Sequence, residues 1–295
     1  MLSAEKEMNL FILRILFIFT GILIPVFLVA QQDSGMSLLG DEPVERIKVE
    51  NAFKTTRVIN LQSLELTDAG VLDFKINHRF GAVGLGSYEA FGLDNASVRI
   101  GAEYGVVPNL ALNLGRSSLG RMVDAGLKYR LMQQTNDNNR PFTALLYAGA
   151  ARTALSMMGS EWVYTGQLIA GRKETERFSW QIAPSVISGR NGQVVAVGIG
   201  FREKITARTT FNAEYIPVIS RPAGRGNTGF YNSFSVGVDV ETGGHVFQLH
   251  FTNSAGMAEP QFIAQTNGSW MDRGFRFGFN ISRVFTVVDP ARFLK

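Results

Sequence analysis

Past residue 30, apolar and polar residues alternate along the chain in segments about ten residues long. In the first clear segment the apolar positions are Leu72, Phe74, Ile76 and Phe80, and between them lie Asp73, Lys75, Asn77 and Arg79. A helix would distribute these residues around its axis, whereas successive side chains of a strand point to opposite faces. The alternation therefore predicts a β-strand with one apolar and one polar face.

The same alternation recurs through most of the chain. Further segments occupy residues 96–104, 110–114, 123–131, 178–186, 195–201, 208–215, 234–241, 247–252 and 275–282. Several connections are short and rich in Gly, Asn and Pro, as at 107–109, 189–192 and 241–244, and longer polar insertions lie at 133–140, 220–229 and 255–269. Short turns that alternate with longer loops are typical of up-and-down barrels. We expect about twelve strands, with a range of roughly 10–14.

The two faces of these strands favour a barrel in lipid over a sandwich in water. The polar face carries many Gly, Ala, Ser and Asn residues with isolated charges, and almost no charge interrupts the apolar face. A charge facing lipid at mid-bilayer costs about 2–4 kcal/mol, and only a closed sheet satisfies every backbone group in hydrocarbon. The sequence predicts an all-β fold, a single antiparallel transmembrane up-and-down β-barrel without a second hydrophobic core. A soluble exported β-protein is the alternative.

Aromatic residues near the segment ends fit the girdles found at both membrane interfaces. These residues are Tyr104, Trp162, Tyr164, Trp180, Tyr215, Tyr231 and Trp270. Ordinary core aromatics would give the same list, so the girdle is one of two interpretations.

The first thirty residues resemble a targeting segment. Lys6 and Arg14 precede an apolar stretch that ends at Ala30, and polar Gln31 and Gln32 follow it. This arrangement predicts a cleaved secretory signal at 1–30, and a single membrane anchor is the alternative. We expect a periplasmic tether at 31–48 and the barrel at 49–295, located in the outer membrane of a Gram-negative bacterium.

Composition excludes several classes of function. Of 295 residues, 29 are Lys or Arg and 25 are Asp or Glu, which gives a net charge of +4. The excess of positive charge forms no basic run, so nucleic acid is not an expected partner. The chain has no Cys, which excludes disulfides, thiolate metal sites and Cys nucleophiles.

The charged residues of the polar faces form the main candidate site. If the barrel closes, they line its lumen and contact ions or a small solute, or they pair across strands and fill it. A barrel of about twelve strands is intermediate between packed and open barrels. We expect a narrow or loop-plugged interior rather than an open passage. The predicted lumen-lining residues are Asp73, Lys75, Arg79, Arg99, Glu103, Asp124, Lys128, Arg130, Arg202, Arg208, Glu214, Asp239, His250 and Arg276.

Catalytic, metal and cofactor sites have little support in the sequence. His250 has the polar-face position and Asp239 or Ser235 could lie across the neighbouring strand, so a hydrolase site near His250 is the catalytic alternative. His245 and His250 face opposite sides of one strand and cannot share a metal. Residues 224–229 match a dinucleotide fingerprint, but an alternating strand follows instead of the required helix. We predict no catalytic residue, no metal and no cofactor.

Several motifs carry a resemblance to a known family. They are Arg79-Phe80-Gly81, Gly86-Ser87-Tyr88-Glu89-Ala90-Phe91-Gly92, Gly243-Gly244-His245-Val246-Phe247-Gln248-Leu249, Thr252-Asn253-Ser254 and Gly278-Phe279-Asn280-Ile281-Ser282-Arg283. Together they resemble a family of uncharacterised outer-membrane β-barrel proteins from Bacteroidota, over roughly residues 53–285. The resemblance implies an outer-membrane barrel and no particular activity.

The same resemblance implies two partners, the outer-membrane lipid bilayer and the barrel-assembly machinery. That machinery reads the aromatic residue that closes the last strand. Here ten residues follow Phe285 (295 − 285), so the insertion signal is internal or the last strand is longer. The functional expectation is a non-catalytic narrow channel, or a binding or anchoring protein of the envelope.

Overall fold

The computed structural model describes residues 47–153, 162–190, 192–222 and 229–293. The predicted signal at 1–30 and almost all of the predicted tether at 31–48 lie outside the described residues. Within these ranges the strands are β1 Val71–Phe80, β2 Ala96–Val107, β3 Leu110–Ser117, β4 Val123–Met132, β5 Thr143–Arg152, β6 Trp162–Lys173, β7 Phe178–Gly189, β8 Gly192–Lys204, β9 Thr209–Ile216, β10 Val218–Ser220, β11 Ser233–Thr242, β12 His245–Thr252 and β13 Arg276–Thr286. The one α-helix in these ranges, α1, spans Glu259–Ala264, and short 3₁₀-helices lie at Val83–Leu85, Ser87–Gly92, Leu119–Arg121 and Pro290–Phe293.

The strands close into an antiparallel ring. Each strand from β1 to β8 pairs with the next, β9 pairs with β11, and β11, β12 and β13 follow in order. β13 then returns to β1 in a register that runs from Val71↔Thr286 to Arg79↔Gly278. The three-residue β10 follows Pro217 and pairs with β8 beside β9, so twelve of the thirteen strands form the ring. The expected all-β barrel of about twelve strands is confirmed.

The two rims of the barrel differ in their connections. At the rim where β1 begins and β13 ends, which we call the terminal rim, the connections are residues 108–109, 133–142, 174–177, 205–208 and 243–244. At the opposite rim they are residues 81–95, 118–122, 153–161, 190–191, 221–232 and 253–275. The longest connections therefore lie at the opposite rim. The last strand ends at Thr286, one residue after Phe285.

The outer surface of the ring is apolar. On β4, Val123, Leu127 and Leu131 point outward and are exposed, whereas Asp124 and Lys128 between them are buried inside. Of the predicted girdle residues, Trp162 and Tyr215 lie near the opposite rim and Trp180 lies near the terminal rim. No helix in the described ranges is long and apolar enough to cross a membrane.

The interior contains a hydrophobic core that the sequence reasoning did not expect. Residues 51–70, which precede β1, lie inside the ring, and their Phe53, Leu61 and Leu64 are buried against the wall. The wall contributes buried Leu145, Ile169, Ala183, Ile187 and Ala196 from β5 to β8, and α1 contributes Phe262 and Ile263. The barrel therefore encloses an apolar segment of its own chain.

Candidate functional site: an occluded barrel interior

Residues 51–70 form a hairpin inside the barrel, which we call the plug. The amide of Val58 donates to the carbonyl of Leu61 at 2.9 Å, and the amide of Ser63 donates to the carbonyl of Thr56 at 3.0 Å. At the terminal rim, the Lys54 ammonium forms an ion pair with Glu241. The hairpin thus enters from the terminal rim, turns inside the barrel near residues 59–60, and returns to the same rim to begin β1.

The tip of the plug is held by one carboxylate of the wall. Glu214 on β9 accepts hydrogen bonds from the amides of Ile59, Asn60 and Leu61 at 2.9–3.1 Å. It also accepts the Asn60 side-chain amide at 2.7 Å. Three successive backbone amides that converge on one anion form a nest, and bonds to an ionised acceptor are stronger than neutral ones. Glu214 is therefore the most concentrated polar anchor of the plug tip.

Side-chain amides of the wall bind the carbonyl groups of the plug. Gln248 donates to the carbonyl of Val58 at 2.6 Å, Gln181 donates to that of Gln62 at 2.7 Å, and Asn280 donates to that of Ile59 at 3.2 Å. These three residues lie on β12, β7 and β13. The backbone of the hairpin is thus hydrogen-bonded to several sides of the lumen, as a buried backbone must be.

Three cations on the inner wall also bind the plug. Lys128 donates to the carbonyls of Thr56 and Glu65 at 3.1 and 2.7 Å. Arg202 donates to the carbonyls of residues 51 and 52 at 2.8 and 3.0 Å. Arg79 donates to the side-chain oxygen of Asn60 at 2.9 Å. These cations therefore form hydrogen bonds to oxygen atoms of the plug and do not line an open lumen.

The Glu65 carboxylate belongs to the plug and lies outside the spanning strands. It accepts the amide of Phe53 at 3.0 Å. Burial raises the pKa of Glu65 above its ordinary value, although this hydrogen bond and the nearby Arg130 and Lys128 act in the opposite direction. The plug thus carries a carboxyl group whose charge is costly where it is docked.

Other predicted residues pair within the wall. Arg99 binds Asp124 through both its Nε and its Nη2. Lys75 lies 3.0 Å from Asp73 and 3.9 Å from Glu103, and Glu103 accepts the hydroxyl of Thr67 in the plug at 2.8 Å. Because each of these buried charges faces a partner of opposite sign, the desolvation cost of the group is offset.

The plug packs closely against two glycines of β8. A Cβ placed on Gly198 would lie 2.7 Å from Leu61, and one placed on Gly200 would lie 3.1 Å from both Cγ2 of Val58 and Cγ of Gln181. A side chain at Gly198 would therefore displace the terminal methyl groups of Leu61. The small residues of this inner face therefore accommodate the hairpin.

A second obstruction comes from the opposite rim. The connection 253–275 folds inward, and every residue of its helix α1 is buried. Glu259 of α1 binds Arg57 of the plug at 2.7 Å and accepts the side-chain amide of Gln62 at 2.8 Å. The plug and the inward loop therefore meet inside the barrel and fill its lumen from both rims.

Three cavities lie around these obstructions in the described part of the chain. A cavity of about 400 Å³ opens at the terminal rim between the plug and the wall near Asp73 and Ser282. A smaller one of about 20 Å³ lies deeper, beside Arg57 and Lys75. A third of about 160 Å³ lies at the opposite rim beside the end of α1.

The structure places most of the predicted lumen residues on the inner face. Those that are buried there are Asp73, Lys75, Arg79, Arg99, Glu103, Asp124, Lys128, Arg202, Glu214, Asp239 and His250. Arg130 and Arg276 also lie on strands of the ring and are half-buried. Arg208 is different, because it is exposed in the turn 205–208 before β9 begins. The alternation of polar and apolar residues includes Arg208, but β9 begins only at Thr209.

The residues of the catalytic alternative are not assembled into a charge-relay array. His250 lies opposite Gly237 in the sheet register, and neither of its ring nitrogens has a hydrogen-bond partner among the described residues. Asp239 instead accepts Gln248 at 2.6 Å, and Ser235 donates to Thr252 at 2.8 Å. The fingerprint at 224–229 lies, except for Gly229, outside the described residues.

The three histidines lie apart on the two faces of the barrel wall. His78 stacks on Phe279 and His245 stacks on Phe247, both on the outer face, whereas His250 is inside. In the part of the chain that is described, no three His, Asp or Glu side chains are grouped closely enough to hold a metal ion.

The fold and its filled interior define a class, a membrane β-barrel whose lumen is occupied by its own chain. The chain belongs to the family described as membrane bound beta barrel domain (DUF5777), which matches residues 53–285. The matched region includes the plug from Phe53 onward as well as the ring. Comparison with curated proteins gives no match.

Among solved structures, the chain is similar to several porins at low identity. The KdgM porin is 9% identical, with a TM-score of 0.45 over 73% of this chain and 99% of that one. The NanC porin is 10% identical, with a TM-score of 0.45 over 74% and 100%. The outer membrane protein Omp33 of Acinetobacter baumannii is 9% identical, with a TM-score of 0.42 over 76% and 100%. These values are too low to indicate a shared solute.

Proposed function

We propose that this protein is a non-catalytic outer-membrane channel that its own plug closes at rest. The observation that carries the proposal is the position of residues 51–70, which meet the inward loop 253–275 inside the lumen but have both ends at the terminal rim. A hairpin inserted from one rim can leave by that rim without unthreading the ring. In the proposed orientation the terminal rim, with its short turns, faces the periplasm and the opposite rim faces outward.

The wall that holds the plug has the chemistry of a pore lining. Glu214, Gln248 and Asn280 bind the plug through polar groups that water or ions could bind in its absence. Charges of both signs lie on the same wall, and such side chains set ion preference in a hydrated lumen. The cavity beside Asp73 connects this polar surface to the solvent at the terminal rim.

A covalent crosslink between plug and wall tests the proposal. Val58 and Gly200 are suited to it, because a Cβ at Gly200 lies 3.1 Å from Cγ2 of Val58. The two Cβ atoms are then at most about 4.6 Å apart (3.1 plus one bond of about 1.5), and disulfides need about 3.5–4.5 Å. The chain has no native Cys to interfere.

The variant Val58→Cys/Gly200→Cys is reconstituted in planar bilayers at increasing voltage. We expect conductance steps after reduction and silence after oxidation, with the single variant Gly200→Cys insensitive to redox conditions. Folding is checked by the heat-dependent shift of the barrel on a gel. A folded, inserted and reduced protein that shows no steps at any voltage would overturn the channel and favour a permanently filled anchoring barrel.

A further inference from the structure

The outward face of the barrel carries a row of cations at the opposite rim. In the sheet register Arg116 of β3 pairs with Val123 of β4, Val123 pairs with Arg152 of β5, and Arg152 pairs with Trp162 of β6. Neighbouring strands are about 4.8 Å apart, so the backbones of Arg116 and Arg152 are about 10 Å apart. Arg121 lies two residues before Val123, in the connection between β3 and β4.

Arg116 and Arg152 have the outward position on their strands, and Arg121 lies at the rim between β3 and β4. Arg116, Arg121 and Arg152 are all exposed. Among the described residues, the side chains of Arg116 and Arg121 form no ion pair and no hydrogen bond. The Arg152 guanidinium carbon lies 5.7 Å from the centre of the Trp162 ring, a cation–π contact that holds the side chain along the barrel surface.

The row lies at the level of a membrane interface. From Val123, the outward residues of β4 continue through Leu127 to Leu131 near the terminal rim. Eight residue steps of about 3.3 Å, on a strand tilted by about 40°, give about 20 Å of apolar wall below the row. An outward charge costs about 2–4 kcal/mol at mid-bilayer and nearly nothing at the interface, and Trp is enriched at that interface.

We infer that Arg116, Arg121 and Arg152 form a binding site for the phosphorylated headgroup of a membrane lipid. Guanidinium groups bind phosphate oxygens through paired N–H groups, and the bilayer delivers such headgroups to this plane. The exposed Leu114 and Leu127 lie below the cations and face the acyl chains. In the orientation of the proposed function, the site faces the external leaflet.

The experiment measures lipid selectivity in reconstituted bilayers. The full chain is placed in phosphatidylcholine, and spin-labelled phosphatidic acid and spin-labelled phosphatidylcholine are compared by the fraction of label that the protein immobilises. We expect phosphatidic acid to associate more strongly, by about fivefold for each cation engaged. Arg116→Gln/Arg121→Gln/Arg152→Gln should reduce this selectivity to that of an uncharged surface.

The matched control is Arg283→Gln. Arg283 also points outward and lies 4.9 Å from the Phe285 ring, but it is near the terminal rim, so its loss should leave most of the selectivity. The inference is overturned if the folded triple variant keeps its selectivity, if Arg283→Gln removes as much, or if millimolar inorganic phosphate displaces the lipid. The gel shift reports folding, and no conductance is measured, so this result is independent of the plug experiment.

Discussion

The strongest test of the closed-channel proposal is the substitution Glu214→Gln. The carboxylate of Glu214 accepts three backbone amides of the plug tip and the side-chain amide of Asn60. Glutamine keeps the size of the side chain but offers one acceptor oxygen in place of two. Because one oxygen of Glu214 accepts all three backbone amides, at least one of the four donors, the Asn60 side-chain amide, then faces an amide N–H, and the remaining bonds no longer go to an ionised group.

The size of the effect follows from the cost of an unpaired buried donor. One unpaired donor costs about 1–3 kcal/mol, and the three remaining bonds lose up to about 1 kcal/mol each when their acceptor is no longer ionised, so the docked plug is destabilised by about 2–6 kcal/mol. Since 1.4 kcal/mol corresponds to a factor of ten, the equilibrium shifts toward undocking by roughly 30-fold or more. The ring itself should be little affected, because Glu214 binds the plug rather than a neighbouring strand.

Two assays measure this shift. In planar bilayers the open fraction of Glu214→Gln should rise by roughly 30-fold or more over the unsubstituted chain. Independently, Leu61→Cys places a thiol at a fully buried position of the plug, and it should react faster with a membrane-impermeant thiol reagent when Glu214→Gln is also present. Leu61→Cys alone is the reference for any loosening that the new thiol itself causes.

The control is a carboxylate of the wall that lies away from the plug. Glu203→Gln changes a carboxylate of β8 that pairs with exposed Arg177 at 3.3 Å and does not contact the plug, so both assays should remain unchanged. If folded Glu214→Gln leaves both the open fraction and the reactivity at Leu61 unaltered, the nest does not hold a movable plug. The proposed gating by residues 51–70 would then be wrong.

Two further predictions concern the wall. Arg99→Ala leaves buried Asp124 without its cation, which should destabilise the barrel by about 3–5 kcal/mol and lower the temperature of its heat-dependent gel shift; an unchanged temperature would contradict the pairing. Leu127→Arg puts a charge near mid-height of the outer face and should cost about 2–4 kcal/mol in urea unfolding from vesicles, whereas Leu131→Arg near the rim should cost about 0–1 kcal/mol. Equal costs would show that depth in a membrane does not matter at these positions.

Much of the ring could be predicted because lipid imposes a simple rule on its outer face. Where the inner face is polar, as on β1 or β4, the alternation is clear and the strand is visible in the sequence. Alternation does not identify β5 and β6, since their inner faces carry Leu145 and Ile169 opposite the apolar side of the plug. An apolar residue on both faces removes the period of two.

The plug could not be predicted from the same pattern. Its buried residues Phe53, Val58, Leu61 and Leu64 follow neither a period of two nor a helical period, because they pack against a curved wall instead of a flat face. Glu214 was predicted to line the lumen, but its partners at 59–61 lie about 150 residues earlier in the chain. A signal was present in the small residues Gly198 and Gly200, which indicated a crowded interior without showing what occupies it.

The two sides of the lumen explain how the hairpin can stay docked inside the barrel and still leave it. Toward β5–β8 the plug buries Phe53, Leu61 and Leu64, and at about 1.5–3 kcal/mol each these side chains favour docking by roughly 5–9 kcal/mol. Toward β9 and β11–β13 the plug forms hydrogen bonds, and water can replace these bonds when the plug leaves. That side therefore adds less to the free-energy difference between the docked and the undocked plug. Spontaneous openings are then expected to be rare, and the 2–6 kcal/mol expected for Glu214→Gln is large enough to bring them within the range of a single-channel recording.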